Sequence, residues 1–206
     1  VHATSGTTGT PIFIPMTKSD LRRVGKWGGE TLGLMGLKKS DLVQLTLPMG
    51  TWMWAAGYGF YLCYTSFGAG VLRFGPGFTE KQIEIMPKLK PTVVHGVPSF
   101  MIKLGEAVRA SGKKLEVRKV VTIAENVLNL DLKKNALGRK IEELWGVPLY
   151  STYGITEGPC LCGECEQNQG HHIHPYEVYV EILDPETLKP LPEGEKGVVC
   201  ITPLGV

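Results

Sequence analysis

Nothing in the 206-residue sequence is an uninterrupted apolar run of about 18 residues, so no segment is expected to span a bilayer. There is also no basic-then-apolar leader at the N-terminus. The net charge is only +2, too small to favour nucleic acid or an anionic membrane surface as a partner. Internal repeats and low-complexity tracts are absent. So is an initiating Met: Val1-His2-Ala3-Thr4 runs straight into a Gly-rich loop, and Ile201 to Val206 stops where a strand would be finishing. Both ends read as cuts through a longer chain. Cysteine is scarce, five residues with three crowded into 160–165, an odd number that argues against a disulfide framework and for a reducing, cytoplasmic compartment.

What is present is an ordinary globular composition, 43% hydrophobic and 20% charged, enough for one domain with a real core or two small ones. Periodicity and punctuation predict alternating strands and helices. A short β-branched run covers Pro11 to Pro15, and Thr17 caps a helix reaching Gly33 or Gly36. Strands are expected at Leu42–Leu47, Gly70–Phe74, Thr92–His95 and Lys119–Ile123. Helices are expected at Tyr58–Phe67, from a Thr79-x-x-Gln82 capping box to before Pro91, at Pro98–Ser111, and at Asp131–Trp145 with Gly146 past its end. The alternation implies an α/β fold, a parallel sheet covered by helices on both faces. From Tyr176 onward the Asp-Pro-Glu-Thr and Pro-Glu-Gly-Glu turns predict an antiparallel β-hairpin. Three regions result: an α/β core over 1–158, a Cys/His loop over 159–175, and the start of a β subdomain over 176–206.

Residues 4–11, Thr4-Ser5-Gly6-Thr7-Thr8-Gly9-Thr10-Pro11, combine glycines that admit a close approach with hydroxyl and amide donors. The spacing fits neither a Walker loop nor a dinucleotide fingerprint. From the residues alone, a flexible linker and a phosphate cradle both remain open. A second small motif, Tyr153-Gly154-Ile155-Thr156-Glu157, offers a flat ring for a base, a hydroxyl for a phosphate and a hard carboxylate for a hard cation, although a strand-to-loop turn has the same composition. Cys160, Cys162 and Cys165 followed by His171, His172 and His174 are soft donors suited to Zn²⁺, or else reduced thiols and surface imidazoles without a metal. Trp52, Trp54, Tyr58, Phe60, Tyr61 and Tyr64 crowd one stretch that either packs a core or lines a pocket.

Taken together, these motifs resemble the adenylate-forming superfamily of acyl-CoA synthetases, luciferases and peptide-synthetase adenylation domains. Within that superfamily the chain is similar to the phenylacetate-CoA ligase type. The first loop resembles the family's Ser-Gly-Thr-Thr-Gly-Lys-Pro with Thr10 in place of Lys, and the second its Tyr-Gly-x-Thr-Glu. Gly96-Val97-Pro98-Ser99, Thr122-Ile123-Ala124-Glu125 and the hairpin Glu181 to Gly197 are similar to the family as well, so the likeness covers essentially the whole chain.

The resemblance implies that Ser5, Gly6, Thr7, Thr8, Gly9 and Thr10 hold the β- and γ-phosphates of ATP. It implies that Ala124 and Glu125 lie along the adenine and substrate, with Tyr153 and Gly154 flanking the base. Thr156 is expected on the α-phosphate and Glu157 on Mg²⁺. Tyr58, Phe60, Tyr61 and Ile123 are expected around an aryl carboxylate, Ile123 narrowing a pocket where Gly is usual. A structural zinc is implied with Cys165 and His172 as leading ligands, their partners lying beyond Val206 or being Cys160 and Cys162.

The activity implied is ATP-dependent: a carboxylate becomes an acyl-adenylate and is then transferred to CoA, a co-substrate. A homodimer is compatible with this. The N-terminal part of the large domain and the mobile C-terminal domain are expected to be absent, leaving these residues inactive alone. Two alternatives share the motifs: adenylation of a deazaflavin cofactor, and a noncatalytic zinc-stabilised nucleotide-binding module.

Overall fold

Alternating valines build the centre of this protein. In Val93-Val94 and Val120-Val121 neighbouring side chains point to opposite faces of a sheet, and all four are fully buried. A computed structural model describes residues 1–206 apart from Thr7, Thr8, Thr51, Trp52, Pro159, Gly205 and Val206, with Cys160 described by its backbone alone.

In chain order the elements are β1 (His2–Ala3), β2 (Phe13–Ile14), α1 (Lys18–Leu34), β3 (Leu42–Leu45), α2 (Ala55–Phe67), β4 (Gly70–Arg73), α3 (Thr79–Leu89), β5 (Val93–Gly96), α4 (Pro98–Ser111) and β6 (Lys119–Thr122). There follow α5 (Ala136–Trp145), β7 (Leu149–Ile155), β8 (Cys160–Gly163), β9 (Val178–Leu183) and β10 (Val198–Pro203).

Six strands form the main sheet in the order β4-β3-β5-β6-β7-β8. The first five are parallel; β8 turns back antiparallel on β7, pairing Tyr153 with Cys162. One face carries α1 and α2, where Leu32, the α1 C-cap Met35, Phe60 and Tyr64 pack on Val43, Leu45, Val93 and Val121. The other face carries α3, α4 and α5 through Met86, Met101, Leu104 and Ile141. Each such fully buried side chain contributes roughly 1.5–3 kcal/mol. The hairpin β9–β10 stands as a separate two-stranded sheet, as its turns predicted.

The α1–α2 seam is unusually close because α1 presents glycines to it. A methyl group at Gly29 would meet the Cys63 carbonyl at 2.9 Å, so only glycine allows this approach. Thr17 caps α1 through a complete capping box with Asp20. At the opposite end of the sheet Asp41 accepts from Thr92 Oγ1 at 2.7 Å and from the Arg118 guanidinium, joining three loops. Burial raises its pKa, but hydrogen bonds from Lys38, Thr92 and Arg118 outweigh that and hold the carboxyl below the usual range.

Three sequence expectations change. Thr79 does not cap α3. Its N-cap is Phe78 in the left-handed region, and Gln82 is instead buried, donating to the carbonyls of Gly75 and Gly77 and pairing with Gln44. The helix expected from Asp131 starts at Ala136, capped by the Asn135 side chain, while Leu128 and Lys134 close a bridge across the preceding turn. The region read as a Cys/His loop contributes the edge strand β8 before it becomes irregular.

Candidate functional site

A parallel α/β sheet exposes its ligand site at the carboxyl ends of the strands, where the order reverses. Here the chain passes from β3 out to β4 and returns on the other side of β3 as β5. The loops after β3, β6 and β7 therefore converge at one end, and a cavity of about 270 Å³ opens there.

The phosphate-loop candidate is the connection between β1 and β2. Thr4 N–H donates to the Ile12 carbonyl at 3.1 Å, and Ile12 N–H donates back to Thr4 Oγ1 at 3.0 Å, so the loop is closed at its base. Gly6 sits at φ +71°, and a Cβ there would lie 2.8 Å from the Pro11 ring; only glycine fits. Gly9 N–H donates to the Gly6 carbonyl at 3.2 Å. Ser5 and Thr10 are exposed. Thr7 and Thr8 lie outside the described residues. The flanking His2 and Ile14 line the cavity, which brings the loop to its rim.

After β6 the chain turns through Ile123-Ala124-Glu125. Ile123 is 8% exposed and lines the cavity. Ala124 has φ +81°, a strained position for a residue with a Cβ, and such strain concentrates at functional sites. Glu125 accepts from Ser99 N–H at 2.9 Å and Ser99 Oγ at 2.6 Å. Its carboxylate thus satisfies the free Ser99 amide at the start of α4 and ties the turn to that helix.

The Tyr-Gly-Ile-Thr-Glu element ends β7. Gly154, Ile155, Thr156 and Glu157 line the cavity, while Tyr153 is not part of its wall and is 40% exposed. Glu157 brings a carboxylate to the cavity wall, the donor type that hard divalent cations take.

Of the four residues expected near the acyl group, Phe60 and Ile123 line the cavity. Tyr58 and Tyr61 do not: Tyr58 opens onto a second cleft with Trp54 and Arg73, and stacks on Tyr61, ring centroids 6.4 Å apart. Phe60 rests edge-on against His95, ring centroids 4.2 Å apart, and the Tyr64 hydroxyl pairs with His95 Nδ1 at 2.9 Å. Burial pushes the His95 imidazole down to about 3, so the floor under Phe60 is neutral.

The zinc expectation meets no assembled donor set. Among the described residues no three His, Cys, Asp or Glu side chains are placed to hold a metal ion. Cys162, offered as a ligand, is buried against Val178, Ile155 and Val180, because β8 turns that side of the strand toward the hairpin β9–β10. His172 pairs by its backbone with Gly163, and His171 Nε2 lies 3.1 Å from Ser151 Oγ, its pKa lowered chiefly by burial. The Cys160 side chain lies outside the described residues, and Cys165 carries a free thiol.

Two cavity residues had no sequence signal. Asp20 reaches the cavity from the first turn of α1, where its side chain completes the Thr17 cap. Glu177, 2% exposed, lies in the turn that leads into β9, where nothing in the pattern marks it.

The family model for "AMP-binding enzyme" matches residues 2–206. The phenylacetate-coenzyme A ligase of Thermus thermophilus is 31% identical over 207 residues, which cover 99% of this chain and 45% of that protein. That of Escherichia coli is 28% identical over 213 residues, 99% of this chain and 46% of that protein. The chain thus spans less than half the length of these curated relatives. A solved 2-hydroxyisobutyryl-CoA ligase, in complex with 2-HIB-AMP and CoA, superposes with a TM-score of 0.86 at 23% identity, over 98% of this chain and 43% of that one. At that identity the likeness speaks for the fold.

Proposed function

The chain belongs to the AMP-binding enzyme family, and on that premise we propose that the natural full-length protein is an AMP-forming acid–thiol ligase. A carboxylate oxygen attacks the α-phosphorus of ATP, the bond to the β-phosphate oxygen breaks, and acyl-adenylate and pyrophosphate result. The CoA sulfur then attacks the acyl carbon, AMP leaves with the bonding pair, and the thiol proton passes to solvent.

The observation that carries this reading is the shared wall of Thr156, Glu157, Ile123 and Phe60 around one cavity at the carboxyl end of the sheet. Phosphoryl transfer asks a protein mainly for positioning and charge stabilisation. Ser5 and Thr10 receive the departing pyrophosphate by hydroxyl donation, Thr156 donates to the α-phosphate, and Tyr153 offers a ring face to the base. Glu157 is the residue that would hold Mg²⁺, which neutralises phosphate charge when bound. The aryl acetate class named by the curated relatives fits a cavity whose acyl side is Phe60 and Ile123. In this assignment residues 1–158 form the nucleotide core, 159–175 the connecting Cys/His segment and 176–206 the first hairpin of a β subdomain.

The test is product analysis by the full-length protein with phenylacetate, MgATP and CoA. Equal amounts of AMP and thioester are expected. AMP with no thioester, over a panel of acids, would point to a different acceptor and count against the CoA step.

A further inference from the structure

We propose that Gly59 sets the size of the acid this cavity takes: the space left by its missing side chain receives an apolar substituent of the acyl group. The inference rests on the acid-activating reading above. It names a specificity-determining residue and the substrate class that residue favours, an aryl acid with an alkyl-substituted ring.

Glycine is second only to proline as the least favourable residue inside a helix, so one in the interior of α2 calls for a reason. Packing supplies it for the glycines nearby. On α1 a Cβ at Gly25 would lie 3.2 Å from the Leu62 carbonyl oxygen, and one at Gly33 would lie 3.1 Å from the Phe67 ring. On α2 itself a Cβ at Gly57 would overlap the Pro48 carbonyl. Gly59 is different. Beyond its own helix backbone and chain neighbours, the single described atom that its Cβ would approach within 4 Å is Val24 Cγ1, at 4.0 Å. The open side of the residue is the cavity, whose wall Gly59 forms. No described part of the protein uses the space, so alanine would fit there and would be the better helix former. What alanine would take away is room in the cavity.

The residues around that room decide what belongs in it. Val24 from α1, Phe60 and Cys63 from α2, Leu161 from β8 and Ile123 after β6 line the same cavity. The Cys63 thiol donates back to the Val24 carbonyl at 3.4 Å. Burial, and after it the Glu177 charge, pushes that thiol up, so it stays protonated and unreactive. The carboxylates of the lining are engaged: Asp20 completes the α1 cap, Glu157 is assigned to the cation, and Glu177, 2% exposed, has a partner within the protein. The described lining holds neither Lys nor Arg. A polar tail would lose its water there without a charged partner in exchange, whereas an alkyl group gains by leaving water.

The experiment is ATP–pyrophosphate exchange by the full-length protein with phenylacetate and its ring-methyl and ring-ethyl derivatives at each position. It compares the parent with Gly59→Ala and Gly59→Leu. In the parent at least one ring-alkyl acid is expected to match or exceed phenylacetate in kcat/KM. Gly59→Ala should lower that acid relative to phenylacetate by roughly tenfold, the worth of one carbon in an apolar pocket, and Gly59→Leu should lower it further. Gly59→Ala should melt no lower than the parent, which separates lost room from lost fold. If Gly59→Leu does not fold, the Ala variant carries the comparison. An unmoved ratio, an equal loss with every acid, or a parent that rejects every ring-alkyl acid overturns the proposal, while phenylacetate exchange leaves the adenylating reading standing. A lower melting temperature in Gly59→Ala overturns it too, because the protein itself would then fill the space. Exchange with no acid of the panel overturns the adenylating reading and this proposal with it.

Discussion

Lys134 Nζ lies 3.0 and 2.8 Å from the two carboxylate oxygens of Glu164, a bidentate ion pair between the loop after β6 and the residue after β8. Glu164 is fully buried, and one of the same oxygens accepts the Ser151 N–H of β7 at 2.5 Å. The pair therefore pins the strand that delivers Thr156 and Glu157. Removing one partner strands the other charge in the interior, a loss of about 3–5 kcal/mol. Lys134→Met should lower stability by that order in urea unfolding, and Lys134→Met/Glu164→Leu should recover much of it. A single variant within about 0.5 kcal/mol of the parent, the range of ordinary surface changes, would remove this role.

The seam between α1 and α2 makes a second prediction. A methyl at Gly28 would overlap Cys63 Sγ, with Leu161 Cδ2 at 3.1 Å on its other side. Gly28→Ala should cost about 1–3 kcal/mol through overpacking, and Cys63→Ala should rescue part of that cost. The readout is the coupling in a double-mutant cycle of unfolding free energies; additive effects would mean that the two side chains do not share the space.

Acid should weaken the fold through His95. Its pKa is about 3 when folded against 6.5 ordinarily, because burial disfavours the cation. Above pH 6.5 both states are neutral and the site's contribution is complete. As pH falls from 6.5 toward 3 the unfolded chain takes up a proton that the folded chain refuses, and stability declines. At pH 5 the loss from this one group is about 2 kcal/mol. His95→Phe should flatten the pH dependence of the urea midpoint between pH 7 and 5. An equally steep profile in the variant would assign the slope to other groups.

Helix α4, from Pro98 to Ser111, was legible to the residue, since Pro at its start and Gly112 after its end are local signals. Four of the six strands of the sheet, β3 to β6, were legible as short apolar runs bounded by turn residues. Where reading failed, a distant partner had decided the outcome. Gln82 has the spacing of a cap, but its amide is drawn to Gln44, 38 residues away. The helix expected from Asp131 begins late because Lys134 is drawn down to Glu164, 30 residues on. Within the site the Tyr-Gly-Ile-Thr-Glu motif announced Thr156 and Glu157, which line the cavity. Glu177 had no such mark: it is placed by the way β9 packs against β8, a tertiary contact that no local pattern encodes.

Ile123 lines the cavity at 8% exposure, at the position where the resemblance implies a narrowed acyl pocket. Ile123→Ala should shift kcat/KM toward acids bulkier by one or two carbons, relative to phenylacetate, by about 10-fold or more, the worth of a methylene or two in an apolar pocket. The cost to stability is about 2–5 kcal/mol, so the variant should be assayed below its melting range. An unchanged size preference would place the acyl group elsewhere.

The most direct test of the central claim is acid-dependent ATP–pyrophosphate exchange by the full-length protein, compared with Glu157→Gln across a magnesium titration. The account predicts robust exchange in the parent and a loss of about 100-fold or more in the variant, with a weakened response to magnesium. Exchange at parental rates in Glu157→Gln, or none in a folded parent with any carboxylic acid, would contradict it.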